Sequence, residues 1–238
     1  MPKILVGTPT YNGAVMGQTT RSLLQLFTQP ALGAALDWET TKAVLIVMAR
    51  NYFASKMLER DYSHLLFIDA DVEFSPDVVR RMLAFDRPLV AAAYPHRALN
   101  VGAFHAAARR WDSPSVAMAA ALTFPIELEE PRRSQGDFHA AVLAPTGLML
   151  VRREVFVRLR EAYPDLDCDA RESTYQDMGL ARVFQAFEPL ANEHGVKMGE
   201  DVSFCRRWRA IGGEIWLTFD ESIGHTGPYT FRAAPNAA

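Results

Sequence analysis

Along the chain, short apolar runs of strand length alternate with segments of helical length in which apolar residues recur every three or four positions. Runs of the first kind favour buried strands, and the amphipathic segments favour helices that cover a sheet. Strands are predicted at 3–7, 64–68, 88–94, 140–144, 148–151 and 214–219. Helices are predicted at 19–27, 41–60 and 153–163, and two more begin at 76 and 200. This alternation predicts an α/β fold.

Several segments lack a clear pattern. Residues 44–48 could form a strand, but the composition of 49–60 favours one helix over the whole stretch. Residues 29–38 are predicted to be irregular. Residues 98–138 are predicted to form edge strands and a long loop over one end of the sheet, of the kind that acts as a lid or binding segment. Residues 164–193 are predicted to be an irregular surface excursion that could be mobile, and residues 233–238 a disordered tail.

The composition is that of an ordinary globular protein. The 238 residues suffice for one sizeable domain and are few for two. Hydrophobic residues make up 49% and charged residues 22%, which is typical of soluble domains. A formal net charge of -3 provides no general attraction for nucleic acid or a membrane, so neither partner is expected.

Other features bear on where the protein acts. Cys168 and Cys205 are too few and too far apart for a disulfide framework or a zinc site, which fits a reducing cytoplasm. The N-terminus passes directly into a strand, without the apolar core and cleavage site of a signal peptide. No apolar segment is long enough to span a bilayer. The sequence therefore predicts an unprocessed cytoplasmic protein.

Two carboxylates follow the central predicted strand. Asp69 and Asp71 are separated by Ala70, and residues i and i+2 of an extended chain face the same side. Both can therefore converge on one hard divalent cation, which prefers oxygen ligands. Ser75 offers an N-cap oxygen and Pro76 the first helical position, so a helix should begin there. This turn is expected at the carboxyl edge of the sheet, where α/β proteins bind ligands.

Further polar side chains lie near predicted strand ends and on helices. The loop after the first strand carries Thr8, Pro9, Tyr11 and Asn12. Its hydroxyl, aromatic and amide groups could bind a base and a ribose, although an ordinary βα loop has the same composition. Arg50 and Asn51 lie on the helix at 41–60. An arginine there could reach a nucleotide or a phosphate, or it could face solvent and pair with Glu59.

Two more features lie in the C-terminal part. Glu200 and Asp201 fall at the start of a helix, where the macrodipole favours negative charge, and this alone could explain them. Gly212 is expected to end that helix. His225 lies in a glycine-flanked loop and presents one imidazole.

Taken in order, four features resemble the GT-A glycosyltransferases. They are Pro9-Thr10-Tyr11-Asn12, Asp69-Ala70-Asp71, Gly199-Glu200-Asp201 and His225-Thr226-Gly227. Their order and spacing are similar to those of family 2-like enzymes and their phage and bacterial relatives, over nearly the whole chain. The resemblance implies a single GT-A domain at 1–232, with a mixed, mostly parallel sheet flanked by helices. Donor binding would occupy residues 1–97 and acceptor binding residues 98–232.

The resemblance also implies a metal site with Mn²⁺ or Mg²⁺. In such enzymes the first carboxylate of the triplet contacts the ribose or a metal-bound water, and the second coordinates the metal. Asp69 and Asp71 match these positions. Ala70, which lies between them, is expected to contact the donor. His225 matches a histidine that completes the metal site in several subfamilies. Oxygen ligands with one imidazole suit Mn²⁺ better than Mg²⁺.

A catalytic base is implied as well. The acidic pair at the helix start supplies it in inverting members, and Asp201 is favoured over Glu200. His96 and Arg97, after the third strand, could contact donor phosphate or acceptor, or form a solvated loop pair.

The implied activity is glycosyl transfer of the hexosyltransferase type. A sugar would move from a UDP- or GDP-linked nucleotide-sugar donor to a hydroxyl of a small-molecule, glycan or protein acceptor. Two alternatives stay open. A haloacid-dehalogenase-like, Mg²⁺-dependent phosphatase also places Asp-x-Asp at a strand end, but Lys197 is the only lysine after the triplet. A non-catalytic nucleotide-sugar binding protein would keep the same fold.

Overall fold

The apolar runs and amphipathic segments of the sequence become the strands and helices of one α/β layer structure. The computed structural model describes residues 1–43, 45–219 and 222–228. The strands are β1 (Lys3–Thr10), β2 (Ala35–Lys42), β3 (His64–Ile68), β4 (Val72–Glu73), β5 (Leu89–Ala92), β6 (Glu127–Leu128), β7 (Ser134–Gln135), β8 (Phe138–Leu143), β9 (Leu148–Arg152), β10 (Asp167–Asp169), β11 (Arg182–Phe184), β12 (Ile215–Thr218) and β13 (Gly224–His225). The α-helices are α1 (Gly17–Phe27), α2 (Ile46–Glu59), α3 (Pro76–Phe85), α4 (Val101–Ala108), α5 (Pro114–Ala119), α6 (Arg153–Ala162) and α7 (Glu200–Ala210).

Nine of the described strands form one mixed sheet. Their order is β2-β1-β3-β9-β5-β12-β8-β6, and β7 pairs with β8. β1 lies parallel to β2 and β3, and β12 lies parallel to β5. β9 runs antiparallel between β3 and β5, and β8 runs antiparallel beside β12. Most strands point the same way, so the predicted mixed, mostly parallel sheet flanked by helices is confirmed.

Both faces of the sheet are covered, because side chains of successive strand residues point to opposite faces. In β1, Ile4 and Val6 pack into the layer that contains α1 and α3, and Leu5 packs into the layer of α2, α6 and α7. Gly7 lets α2 come close to β1, since a Cβ there would lie 2.7 Å from Cγ of Phe53. The core therefore lies in two layers, one on each side of the sheet.

The helix boundaries follow the predicted signals in part. α3 begins at Pro76, and Oγ of Ser75 accepts a hydrogen bond from the Asp77 N–H at 3.2 Å, as an N-cap does. Residues 46–48 belong to α2 and not to a strand, but the predicted start of this helix at 41 was wrong, because Thr41 and Lys42 belong to β2 and α2 begins at Ile46. Position 44, the end of the predicted domain at 229–232 and the predicted tail at 233–238 lie outside the described residues.

Two irregular predictions were wrong in part. Residues 29–38 include the start of β2, whose side chains are mostly half-buried or exposed, so no apolar run marked this edge strand. The segment at 98–138 does contain edge strands, β6 and β7, but it also forms the helices α4 and α5. In both of these helices only one alanine is buried, Ala107 and Ala117. They therefore lack the apolar periodicity by which helices are predicted.

The segment at 164–193 is a surface excursion only in part, since it has exposed positions but also contributes buried side chains. Tyr175, Val183, Phe184 and Phe187 are buried in the core layer that also holds α2 and α7. Its strands β10 and β11 and its single helical turns are only three residues long each, too short to show an apolar pattern of period 2 or 3.6.

None of the helices within the described ranges is long and apolar enough to cross a bilayer.

Candidate functional site

A cavity of about 530 Å³ lies at the carboxyl edge of the sheet, beyond the ends of β1 and β3. Parallel strands end at the same edge, so residues that follow different strands meet there. The lining consists of Pro9, Tyr11, Asn12, Ala14, Met16, Ile46, Asp69, Ala70, Asp71, Arg97, His225, Thr226, Gly227 and Pro228. The three predicted metal ligands are brought together here, with four of the predicted donor contacts: Pro9, Tyr11, Asn12 and Ala70.

Three predicted donor contacts, Thr8, Arg50 and Asn51, lie inside the protein instead. Thr8 is fully buried at the end of β1, and its Oγ1 accepts a hydrogen bond from Nε1 of Trp38 at 3.0 Å. Asn51 is fully buried on α2. Its Nδ2 donates to the hydroxyl of Tyr175 at 2.9 Å, and its Oδ1 accepts from the N–H of Phe187 at 2.9 Å. None of the three belongs to the cavity lining, and their nucleotide contacts stay predictions.

Asp71 and His225 face each other across this edge. β13 pairs antiparallel with β4, which places His225 opposite Val72. The N–H of Thr226 donates to the carbonyl of Asp71 at 2.8 Å. Nε2 of His225 lies 3.5 Å from Oδ1 of Asp71. A short strand pairing thus joins the acidic turn to a loop from the other end of the described chain.

The hydrogen bonds of His225 define its tautomer. Nδ1 lies 2.8 Å from the carbonyl oxygen of Pro95, which can only accept, so Nδ1 carries a proton. Nε2 is then the nitrogen that faces Asp71. Burial would lower the pKa of His225, but the hydrogen bonds with Asp71 and with Pro95 outweigh burial, and the pKa is raised. Burial would raise the pKa of Asp71, but His225 and Arg97 outweigh it and the pKa is lowered.

Arg97 pairs with the carboxylate oxygen of Asp71 that does not face His225. Its Nη1 lies 2.5 Å from Oδ2 of Asp71, and its side chain is half-exposed in the cavity lining. The neighbouring His96 is exposed and is not part of that lining. Of the two residues weighed as phosphate or acceptor contacts, the structure brings Arg97 to the cavity.

The carboxylate of Asp69 forms an ion pair with a buried arginine. Arg50 is 2% exposed, and its Nη2 lies 2.6 Å from Oδ1 of Asp69. The guanidinium carbon lies 5.0 Å from the centre of the Phe67 ring. Burial would lower the pKa of Arg50, but the charges of Asp69, Tyr94 and Glu200 and the hydrogen bond to Asp69 together outweigh burial, and the pKa is raised. One oxygen of Asp69 is therefore committed to an internal ion pair.

Tyr94 completes the surroundings of Asp69 and was not predicted as a site residue. Its hydroxyl accepts a hydrogen bond from the N–H of Gly147 at 2.9 Å. The carbonyl of Gly147 accepts from the N–H of Asp69 at 2.8 Å. A Cβ at position 147 would lie 2.5 Å from Oδ2 of Asp69, so only glycine fits. Burial and the charge of Asp69 raise the pKa of Tyr94. The sequence did not indicate that Tyr94 lies near Asp69. Both residues bond to Gly147, which comes just before β9, and β9 runs antiparallel between β3 and β5.

The acidic pair begins α7 as predicted but lies outside the cavity lining. Burial raises the pKa of Glu200, and the charge of Arg50 opposes this shift. Oδ1 of Asp201 accepts a hydrogen bond from the N–H of Val202 at 2.7 Å. The charges of Arg50 and Glu200 thus influence each other's pKa.

No family model matches the chain, and no curated protein matches it. Several solved structures are similar over most of its length. "A197 from STIV" is 12% identical, covering 99% of this chain and 100% of that chain, with a TM-score of 0.46. Mannose-1-phosphate geranyltransferase from Thermus thermophilus is 10% identical, with 94% and 76% covered and a TM-score of 0.47. UDP-glucose pyrophosphorylase, complexed with UDP-glucose, is 9% identical, with 94% and 92% covered and a TM-score of 0.44. Likeness at this level identifies neither a family nor an activity.

The donor set of the cavity fits a divalent cation in part. Asp71 offers a carboxylate, and His225 offers an imidazole whose other nitrogen is bonded to a carbonyl, as in many metal sites. Asp69 differs, because Arg50 holds its Oδ1. Among residues 1–43, 45–219 and 222–228, no group of three or more His, Cys, Asp or Glu is arranged to hold a metal ion. Of the three predicted ligands, Asp71 and His225 therefore suit a divalent cation, and Asp69 suits it less well.

Proposed function

We propose that the protein is a metal-dependent glycosyltransferase. It moves a sugar from a UDP- or GDP-linked donor to a hydroxyl group of an acceptor. The observation that carries this proposal is the pair formed by Asp71 and His225, 3.5 Å apart, in the lining of a cavity at the carboxyl edge of the sheet. Open α/β sheets bind their ligands at this edge.

The size and the chemistry of the cavity support a nucleotide. Its volume of about 530 Å³ is within the range of pockets that enclose small organic ligands, about 300–1,000 Å³. Tyr11 is 75% exposed and offers an aromatic face on which a base can stack. Arg97 supplies a cation suited to a diphosphate. The lining therefore combines an aromatic face, a carboxylate–imidazole pair and a guanidinium.

Asp71 and His225 are the residues that would hold the metal ion. When bound there, a divalent cation would neutralise the charge of the nucleoside diphosphate that leaves. Asp69 keeps Oδ2 for a ribose hydroxyl, because Arg50 takes only Oδ1. Arg50 also orients that carboxylate, since its own side chain is fixed by burial.

The catalytic base comes from the acidic pair at the start of α7. Asp201 is the residue that the resemblance favours, and Glu200 is the alternative. Burial raises the pKa of Glu200 toward neutrality, which improves a carboxylate as a base. The base would remove the proton of the acceptor hydroxyl.

Binding measurements test the proposal. Titration calorimetry with UDP and GDP, each with and without Mn²⁺, is expected to show binding that requires the metal. Asp71→Asn keeps the size of the side chain but removes its charge, and is expected to weaken metal-dependent binding about tenfold or more. Asp77→Asn is the matched control, because Asp77 is exposed on α3 outside the cavity, and it should bind as the wild type does.

Either of two results would contradict the proposal. The wild type could fail to bind every nucleoside diphosphate and nucleotide sugar in the presence of Mn²⁺. Alternatively, Asp71→Asn could bind as tightly as Asp77→Asn. A phosphatase would show no preference for nucleoside diphosphates, so the same titrations separate the two activities.

A further inference from the structure

Both carboxylate oxygens of Asp71 already have partners within the protein. Oδ1 faces His225 at 3.5 Å, and Oδ2 accepts from Nη1 of Arg97 at 2.5 Å. The backbone carbonyl of Asp71 accepts from the N–H of Thr226. The position at which Asp71 would meet a divalent cation is therefore bordered by a guanidinium.

The placement of Arg97 depends on the loop that carries His225. A Cβ at Gly227 would lie 2.8 Å from Cδ and 3.2 Å from Cβ of Arg97, so only a glycine lets the arginine stem lie against this loop. His225 in turn is bonded to the carbonyl of Pro95, two residues before Arg97. The arginine is thus positioned by the same contacts that position the histidine.

A guanidinium and a divalent cation beside one carboxylate repel each other strongly at such short range. The side chain of Arg97 is 50% exposed, so its end can leave Asp71 while its stem stays in place. A forked guanidinium matches the oxygens of a phosphate better than any other side chain does. Within the cavity, the diphosphate of a nucleotide is the anion that could receive it.

We propose that Arg97 exchanges its anionic partner when the donor binds. In the ligand-free protein it pairs with Asp71, and in the complex it binds the diphosphate of the nucleotide, leaving Asp71 to the divalent cation. This inference rests on the proposed function, and it adds a diphosphate-binding residue that also competes with the metal.

The two roles of Arg97 predict opposite effects of one substitution. Arg97→Met keeps the stem and removes the charge. Its affinity for Mn²⁺ alone, measured from the electron paramagnetic resonance signal of free Mn²⁺, is expected to rise about tenfold. Its affinity for UDP or GDP at saturating Mn²⁺, measured by calorimetry, is expected to fall about tenfold or more.

Two further variants serve as controls. Arg97→Lys keeps a charge beside Asp71, so Mn²⁺ affinity should stay near that of the wild type, while the loss of the fork still weakens nucleotide binding. Arg109→Met removes an exposed arginine beside α4 that is not part of the cavity lining, and both affinities should stay unchanged. Unfolding curves without ligand check that each variant is folded.

The inference is overturned if Arg97→Met leaves both affinities unchanged or moves them in the same direction. It is also overturned if neither the wild type nor Arg97→Met binds Mn²⁺. Failure of the proposed function has a different signature, because the wild type itself would then bind no nucleoside diphosphate at saturating Mn²⁺.

Discussion

The ion pair of Arg50 and Asp69 links the interior of the protein to its cavity. The sequence allowed two interpretations of Arg50, as a nucleotide contact or as a solvent-facing partner of Glu59. The solvent-facing interpretation was wrong, since Arg50 is buried and Glu59 accepts hydrogen bonds from the N–H groups of Ala181 and Arg182. The guanidinium has Asp69 as its ion-pair partner.

At this scale we expect Asp69→Asn to lower the free energy of unfolding by about 3 kcal/mol. The buried guanidinium of Arg50 would lose its counter-charge, and an uncompensated buried charge is strongly destabilising. The side chains of Arg50 and Asp69 are 2% and 24% exposed, so water screens the pair only weakly. Urea unfolding followed by circular dichroism measures the loss.

A double variant isolates the charge effect. Arg50→Met with Asp69→Asn removes both charges at similar volume, and it should recover most of the stability lost in the single variant. Asp77→Asn, at an exposed site, should cost less than about 1 kcal/mol. If Asp69→Asn were as stable as Asp77→Asn, the pair would contribute nothing to the fold.

At the scale of elements, the turn from α7 into β12 depends on two adjacent glycines. Gly212 has φ of 78°, in the left-handed region, which confirms the predicted end of the helix. Gly213 is required for space, because a Cβ there would lie 2.1 Å from Cε2 of Trp208. Trp208 is fully buried, and its Nε1 donates to the carbonyl of Glu214 at 2.8 Å.

The two glycines predict different costs for the same substitution. Gly213→Ala should lower the free energy of unfolding by about 2–3 kcal/mol, because the new methyl group meets a ring that cannot move freely within the core. Gly212→Ala should cost about 1 kcal/mol, because it strains the backbone without a clash. Urea unfolding of both variants tests the order, and equal costs would show that the Trp208 ring shifts easily.

At the scale of the whole molecule, part of the segment at 164–193 belongs to the core. The ring of Phe187 stacks on Phe204 of α7 at 4.3 Å and meets Phe67 of β3 edge-on at 5.4 Å between centroids. Asn51 of α2 accepts a hydrogen bond from the N–H of Phe187. The segment therefore joins the central strand to two helices of one layer.

Phe187→Ala tests this correction. The substitution should lower the free energy of unfolding by about 3–5 kcal/mol, because it leaves a cavity beside the rings of Phe204 and Phe67. Phe124→Ala is the matched control, since Phe124 is 42% exposed, and it should cost under about 1 kcal/mol. A cost for Phe187→Ala as small as that of the control would show that Phe187 does not anchor the segment in the core.

The sequence predicted the parts of the site that follow strands directly. Tyr11, Asn12, Asp69 and Asp71 could be assigned to one edge because apolar runs end just before them, and the ends of parallel strands share an edge. Tyr94 could not be linked to them. Its contacts arise through Gly147, from an antiparallel strand whose place in the sheet no local pattern encodes.

Local chemistry alone thus determined an α/β protein with an acidic turn, capped helices and a late histidine, because strand periodicity, capping and turn residues act over a few neighbouring positions. Only the tertiary structure decided which polar groups face the cavity and which form hydrogen bonds or ion pairs inside the protein. Asn51 was drawn into the core, Asp69 was paired with Arg50, and Asp71 met both His225 and Arg97. Such pairings depend on which distant elements lie side by side, and that is settled by packing of the whole chain.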